Sequence, residues 1–435
     1  MMMRRAFVLA AAAAAVLTGS SFAQDAQIAS IIHAGRLLAD PATGRVLSEQ
    51  SVLIGGDGRI VGVEAGYVTR EGARVIDQRT RFVMPGMIDS HVHLSSELTA
   101  NRIYDGVLLT ASDAALRAAS NARITLNAGF TTVADLGAPN DAIFALRRAI
   151  NEGRMEGPRI IASGRGITPD GGHGDAQAWQ PEVLDALRSE SACSGADACR
   201  RATRRQVQAG ADVIKITATG GVLSNTNAGV LQQLSDDELA AIVEAAHSMG
   251  RRVTAHAHGV EGINAALRAG VDSIEHGSYI DRESARLLRQ GNRYLVPTLL
   301  AGWWVGQLAE RGGTLTPAQT EKARQVSRDM ANMGRFARQN NVRIAFGTDT
   351  GVSPHGMNAR EFALLVEAGF TPLQTIQMAT VNAADHLQLG AVAGRIAPGY
   401  SADLIAVDGD PLADVAVLEN GVRFVMARGS VARSD

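Results

Sequence analysis

The sequence predicts an α/β protein: a (β/α)₈ TIM barrel with a small β-sandwich domain formed from both chain ends. The central part alternates apolar strand-like runs with helical segments eight times, and several of these helices end in glycine just before the next strand. Short alternating runs separated by turn residues occupy both ends. The length of 435 residues suits a barrel of about 250 residues with additional structure.

The barrel strands are predicted at residues 87–94, 130–136, 159–163, 212–217, 252–257, 272–276, 294–299 and 343–349. A helix at 235–249 begins with a predicted capping box of Ser235 and Glu238. A doubly wound sheet is the weaker alternative, because no GxGxxG motif opens a helix after a strand.

The two chain ends are predicted to pair into one domain that the barrel interrupts. Residues 24–84 supply its first part, residues 389–435 its second part, and residues 85–388 the barrel. The Gly-Asp-Gly turn at 56–58 favours a hairpin, so these strands are expected to be antiparallel.

Residues 1–23 have the pattern of a secretory signal peptide, with two arginines, an apolar run and Ser-Phe-Ala before Gln24. We therefore expect cleavage after Ala23 and a secreted or periplasmic protein; an uncleaved membrane anchor is the alternative. Cys193 and Cys199 are expected to form a local disulfide in that compartment, whereas two cysteines alone make a poor metal site. The net charge of −2 provides no basic surface for nucleic acid or a stable membrane partner.

Polar residues gather at the carboxyl ends of the predicted strands, where barrel enzymes place their chemistry. They are His91 and His93 on the first strand, Lys215 on the fourth, His256 and His258 on the fifth, His276 on the sixth and Asp349 on the eighth. One strand histidine is usually structural, but His91 and His93 share a face at i and i+2. Nitrogen and oxygen ligands of this kind suit zinc or a similar divalent ion.

Lys215 cannot bind a cation as an ammonium ion. Its apolar neighbours Val213, Ile214 and Ile216 favour burial, which lowers the pKa of an amine. A neutral amine can add CO₂ to form a carbamate whose oxygens could bridge two metals. Pairing with a carboxylate inside the barrel is the alternative.

These motifs resemble the amidohydrolase superfamily of metal-dependent hydrolases over nearly the whole mature chain. The resemblance is carried by PGMIDSHVH, VIKITATGGV, AHAHG, IEHG, GTDTG and GRIAPGYSADLIAVDGDP. TATGGV, GGHGD and LVPTL are most similar to the binuclear Xaa-Pro dipeptidase and carboxypeptidase-like branch. Members of that branch cleave a C-terminal residue from N-acyl amino acids and dipeptides, and relatives hydrolyse ochratoxin A to ochratoxin alpha and phenylalanine.

The resemblance implies two divalent ions, zinc in the first place, and a role for each ligand. His91 and His93 would hold one ion, His256 and His276 the other, and carboxylated Lys215 would bridge both. Asp349 would contact the first ion and act as general acid/base toward a shared hydroxide. His256 matches the family position better than His258, although both could face the site. Relatives also assemble, often as octamers, so a homo-oligomer is expected.

Other site residues follow from position. His173, in a glycine-rich loop after the third strand, could donate a hydrogen bond to a developing oxyanion. Arg165 and His355 are candidate substrate contacts, and the substrate is expected to be a small amide or dipeptide. A lactonase or organophosphate hydrolase could use the same cage, and a catalytically silent binding protein would be expected to lack a ligand.

Overall fold

The computed structural model describes residues 27–225 and 229–435. The predicted signal peptide lies outside the described residues. Within the described part of the chain, no helix combines the length and apolar character needed to cross a membrane.

Strands and helices are numbered separately along the described ranges. The strands are β1 (Ile28–Leu37), β2 (Leu47–Gly55), β3 (Ile60–Ala65), β4 (Arg74–Pro85), β5 (Met87–Val92), β6 (Phe130–Asp135), β7 (Arg159–Ala162), β8 (Thr168–Pro169), β9 (Ala192–Cys193), β10 (Val213–Thr217), β11 (Arg252–Ala257), β12 (Ser273–His276), β13 (Tyr294–Val296), β14 (Leu404–Val407), β15 (Val422–Ala427) and β16 (Ser430–Ser434). The helices are α1 (Arg102–Leu108), α2 (Ala111–Asn127), α3 (Asn140–Asn151), α4 (Pro181–Leu187), α5 (Ala196–Ala209), α6 (Asp236–Ser248), α7 (Val260–Ala269), α8 (Arg282–Gln290), α9 (Leu299–Arg311), α10 (Pro317–Gln339), α11 (Arg360–Glu367), α12 (Pro372–Gln377), α13 (Ala383–His386) and α14 (Val417–Asn420), with a π-helical turn at Met378–Asn382.

The central strands form two parallel sheets, β5-β6-β7 and β10-β11-β12-β13, in sequence order. They correspond to seven of the eight predicted strands, with ends within three residues of the prediction. On one side the sheets are connected through Ile167, whose N–H donates to the carbonyl of Lys215 (2.8 Å) and whose carbonyl accepts the N–H of Thr217 (3.0 Å).

The prediction of a regular eighth strand at 343–349 was wrong. This segment is irregular but lies between β13 and β5: the N–H of Leu295 donates to the Arg343 carbonyl (2.9 Å), and that of Ser90 to the Phe346 carbonyl (2.8 Å). Asp349 has φ +58°, which a regular strand does not tolerate. Gly347 also packs so closely that an added Cβ would lie 2.2 Å from Val296. The segment therefore lies between the β13 edge of one sheet and the β5 edge of the other, but it does not form a regular strand.

Both chain ends contribute to one seven-stranded sheet of order β16-β15-β14-β4-β1-β2-β3. The expectation that these strands are all antiparallel was wrong for β1 and β4, which pair in parallel. The chain after β3 explains the difference: Gly66 donates to the Glu49 carbonyl on β2, and His33 on β1 contacts the Val68 carbonyl (2.8 Å). The connection between β3 and β4 thus passes across β2 and β1. Strand β4 then pairs with the far edge of β1 and runs parallel to it.

Two local features predicted from the sequence, a disulfide and a helix capping box, are present. Cys193 and Cys199 form a disulfide with their Cα atoms 5.1 Å apart, which links β9 to α5. The predicted capping box of α6 is confirmed, because the Glu238 carboxylate accepts the N–H of Ser235 (2.9 Å).

Glu361→Ala should lower the free energy of unfolding by about 2–4 kcal/mol, because it leaves two buried N–H groups without acceptors. The carboxylate of Glu361 on α11 accepts the N–H groups of Leu299 (3.0 Å) and Leu300 (2.6 Å) at the start of α9. Denaturant unfolding measures the loss. Glu367→Ala on the same helix is the control, since its side chain is 65% exposed and its loss should cost under about 0.5 kcal/mol. Equal losses in the two variants would contradict this role of Glu361.

Candidate metal centre

Two clusters of metal-ligating side chains lie at the carboxyl ends of the central strands. Within each cluster the potential ligand atoms all lie within 4.8 Å of one another. The clusters are His91, His93 and Asp349, and His256, His258 and His276. Together with Lys215 they line one cavity of about 490 Å³. Every metal ligand predicted from the sequence therefore faces the same cavity.

Short distances connect the first cluster to Lys215. The Nε2 atom of His93 lies 3.1 Å from Oδ1 of Asp349, and Nε2 of His91 lies 3.4 Å from the same oxygen. The Nζ atom of Lys215 lies 3.4 Å from Nε2 of His91. Asp349 and His276 both have positive φ, a costly conformation for residues other than glycine that is often found at functional sites.

The Nδ1 atoms of the histidines are held by partners around the site. Nδ1 of His91 contacts Glu275 (2.8 Å), that of His93 the Gly137 carbonyl (3.0 Å), and that of His276 the Thr298 hydroxyl (2.7 Å). An Nδ1–H that donates outward leaves the lone pair of Nε2 free for a metal. The arrangement therefore presents Nε2 as the ligand atom.

His256 and His258 both belong to the second cluster, but their hydrogen bonding differs. Nε2 of His256 is buried and has no hydrogen-bond partner among the described residues. Nδ1 of His258 contacts the Ser278 hydroxyl (2.7 Å), and its ring stacks on His276 with 4.8 Å between centroids. A buried nitrogen without a partner is costly unless something binds it. The donor set therefore fits a divalent metal ion.

Burial and charge shift the protonation equilibria here. Burial lowers the pKa of Lys215, which Glu275 and Asp349 counteract. Burial raises the pKa of Asp349, but the neighbouring His91, His93 and Lys215 outweigh that effect and bring it to about 2. The ammonium form of Lys215 is thus less favoured than that of a free lysine, and Asp349 is a carboxylate near pH 7.

His173 lies against the second cluster, as a catalytic contact requires. Its ring stacks on that of His256 with centroids 4.3 Å apart, and Nδ1 lies 2.7 Å from the Ser224 hydroxyl. Burial lowers the pKa of His173 to about 3, so the ring is neutral near pH 7.

The other two candidate substrate contacts differ in position. Arg165 lines the cavity, but its side chain is 40% exposed and lies 3.8 Å from Glu190. His355 is not among the residues that line the described cavity: its Nε2 contacts the Ser96 carbonyl (3.1 Å) behind the loop after β5. The role of His355 as a substrate contact stays a prediction.

Two further residues, Glu275 and Arg102, were not predicted from the sequence. Glu275 is buried and contacts His91, and its charge in an otherwise apolar strand, IEHG, was the available signal. Arg102 begins α1 and lines the cavity, but no motif or periodicity marks it.

Glu275→Gln should weaken metal binding by roughly 10- to 100-fold, because a neutral amide orients and polarises His91 less well than a carboxylate does. Competition against a chromogenic chelator measures the affinity. Glu261→Gln on α7 is the control, since Glu261 is exposed. Unchanged affinity in Glu275→Gln would remove Glu275 from the support of the site.

Comparison with known proteins places this geometry in a family. The Amidohydrolase family model matches residues 82–432. The ochratoxinase of Aspergillus niger is 33% identical over 413 residues, which cover 90% of this chain and 83% of that protein. The crystal structure of a Xaa-Pro dipeptidase with bound methionine in its active site is 35% identical, with a TM-score of 0.88 over 93% of this chain and all of that one. The crystal structure of the A. niger ochratoxinase gives 30% identity and a TM-score of 0.82 over 93% of this chain and 96% of that one.

The chain belongs to the amidohydrolase family, as its motifs predicted. It is a hydrolase that acts on amide bonds, with a TIM-barrel-like α/β fold.

Proposed function

We propose that this enzyme hydrolyses the amide bond to the C-terminal amino acid of N-acyl amino acids or dipeptides, with two divalent ions, most simply Zn²⁺. The observation that carries the proposal is that all six predicted ligands face one cavity, where Nε2 of His256 is buried without a partner. The ochratoxinase and Xaa-Pro dipeptidase relatives support this substrate class, and ochratoxin A is itself such an amide.

In this proposal His91, His93 and Asp349 would hold one ion, and His256 and His276 would hold the other. His256 is preferred to His258 because it matches the family position, and its buried Nε2 has no hydrogen-bond partner among the described residues. The neutral amine of Lys215 would add CO₂ and lose a proton, and the resulting carbamate would offer two carboxylate-like oxygens as ligands for the ions. Burial supports this step, because it disfavours the ammonium form.

When bound, the two ions supply Lewis acidity for the scissile carbonyl and an activated water near neutral pH. Asp349 accepts the proton of the attacking water and returns it to the leaving nitrogen, which must leave as an amine. His173 donates from Nε2 to the carbonyl oxygen as negative charge develops there. Ser224 supports that tautomer, because its hydroxyl oxygen accepts the N–H of Gly221 (3.2 Å) and its own proton is available to Nδ1 of His173.

We also propose a domain arrangement, a location and an assembly for the whole protein. The barrel is taken as closed and spans residues 85–388, and residues 24–84 and 389–435 form the sandwich domain. The hydrogen bonds at Ile167 and Leu295 support closure. We further propose export after cleavage behind Ala23, a homo-oligomeric assembly, and no nucleic-acid or stable membrane partner.

The test is amino-acid release by the metal-loaded mature protein. The substrates are N-acetyl-L-phenylalanine, Xaa-Pro and Xaa-Arg dipeptides, ochratoxin A and a simple lactone. We expect free amino acid from the amides, with the metal-free protein as control. Cleavage of the lactone alone would replace the proposal with a lactonase, and similar release without metal would remove the ions from the mechanism.

A further inference from the structure

A substrate that ends in a free carboxylate needs a cationic partner in the cavity. Three basic side chains line it: Lys215, Arg102 and Arg165. Lys215 lies against His91 in the ligand clusters, and Arg165 lies beside Glu190 at an exposed position. Lys215 and Arg165 therefore each already have a side-chain neighbour within 4 Å.

Arg102 differs from both. Arg102 is exposed as well, but its guanidinium forms no hydrogen bond or ion pair with any residue in the described parts of the chain. The nearest acid on its own helix, Asp105, is hydrogen-bonded to Arg117 of α2. Arg102 lines the cavity, and an unpaired guanidinium there is available to bind an anionic group of a ligand.

The cavity locates Arg102 relative to the reacting centre. Arg102, Asp349 and His173 line the same cavity, so Arg102 faces the space in which both groups assigned to the reaction lie. In an N-acyl amino acid the carboxylate lies only about one residue, roughly 3.8 Å, beyond the scissile amide. A cationic side chain near the ligand clusters can therefore reach the carboxylate of a substrate whose scissile amide lies at those clusters.

We propose that Arg102 binds the C-terminal carboxylate of the substrate and limits the enzyme to amides of free amino acids. This inference rests on the proposed function and names the residue that recognises its substrate class. The planar guanidinium donates two parallel hydrogen bonds to the carboxylate, which fixes the scissile carbonyl toward His173 and the ligand clusters. A substrate with a C-terminal amide or alcohol leaves the guanidinium unpaired.

Calorimetry of a product tests the site without turnover. The probes are L-phenylalanine and L-phenylalaninol, which lacks the carboxylate, added to the metal-loaded protein. Wild type should bind phenylalanine more tightly, and Arg102→Gln should weaken that binding by roughly 10- to 100-fold with little effect on phenylalaninol. Arg102→Lys keeps the charge without the paired geometry and should fall between them. Arg154→Gln is the control, since its side chain is 77% exposed.

Three results would overturn the assignment: wild type binds neither probe, wild type binds both equally, or Arg165→Gln rather than Arg102→Gln removes the preference. Kinetics separate this from the proposed function. If wild type releases no amino acid from N-acetyl-L-phenylalanine but binds phenylalanine through Arg102, the proposed function fails and the carboxylate site remains. If Arg102→Gln lowers kcat/KM equally for N-acetyl-L-phenylalanine and its C-terminal amide, Arg102 is structural.

Discussion

Asp349→Asn should lower kcat for N-acetyl-L-phenylalanine by about 10²–10⁴-fold, the usual contribution of a general acid/base. The carboxylate lies 3.1 Å from Nε2 of His93 and faces the cavity, where it can receive and return one proton per turnover. Asparagine has nearly the same shape but cannot accept that proton. Steady-state kinetics at constant metal loading measure the effect.

Metal content must accompany this experiment, because Asp349 is also a proposed ligand. Full metal content with lost turnover would assign the defect to proton transfer, and lost metal would assign it to the ligand role. Asp57→Asn in the β2–β3 hairpin, where the side chain is 66% exposed, is the control. A metal-loaded Asp349→Asn enzyme that keeps a third or more of wild-type kcat would contradict the assignment.

Lys215→Ala should lower metal occupancy and should lower kcat by at least about 100-fold. The variant lacks the only side chain proposed to contact both ions. Added acetate should restore part of the activity, since a small carboxylate can fill the space with the same oxygen donors. Metal analysis and kinetics with increasing acetate measure the two effects. Full metal content and activity in Lys215→Ala would contradict a bridging role.

The carbamate itself can be observed directly. Only two of the 42 basic residues are lysines, Lys215 and Lys322, so a ¹³C carbamate signal from labelled bicarbonate has three candidate origins: the two lysines and the N-terminal amine. Burial lowers the pKa of Lys322 too, but its amine donates to the carbonyls of Gly221 (3.1 Å) and Ser224 (2.6 Å). The signal should disappear in Lys215→Ala and persist in Lys322→Arg.

The sequence was sufficient where chemistry coincides with strand ends. The ligands His91, His93, Lys215 and His276 follow apolar runs, so the barrel hypothesis alone brings them together. The direction of β4 was not predictable. Alternation of apolar residues shows which side chains share a face of the sheet, but it does not show which strands pair or in which direction. The irregular segment before Asp349 escaped prediction because its apolar composition resembles a strand, while Gly347 and the positive φ of Asp349 break the ladder.

Side chains that act from outside the motifs were harder to predict. Arg102 begins a short helix after a loop, and only folding places it at the cavity. His355 lies in the loop after the eighth predicted strand and contacts the Ser96 carbonyl, and its role as a substrate contact stays a prediction. Position relative to a strand end predicts which loop is near a site, but not which way a loop side chain points.

The most direct test of a binuclear amidase is a metal titration of amide hydrolysis. Chelated protein is given increasing equivalents of Zn²⁺, and release of phenylalanine from N-acetyl-L-phenylalanine is measured at each step. We expect negligible release at zero metal and a plateau at about two ions per chain. Amide hydrolysis that persists at full rate in the chelated protein would contradict this expectation, as would a protein that binds no metal.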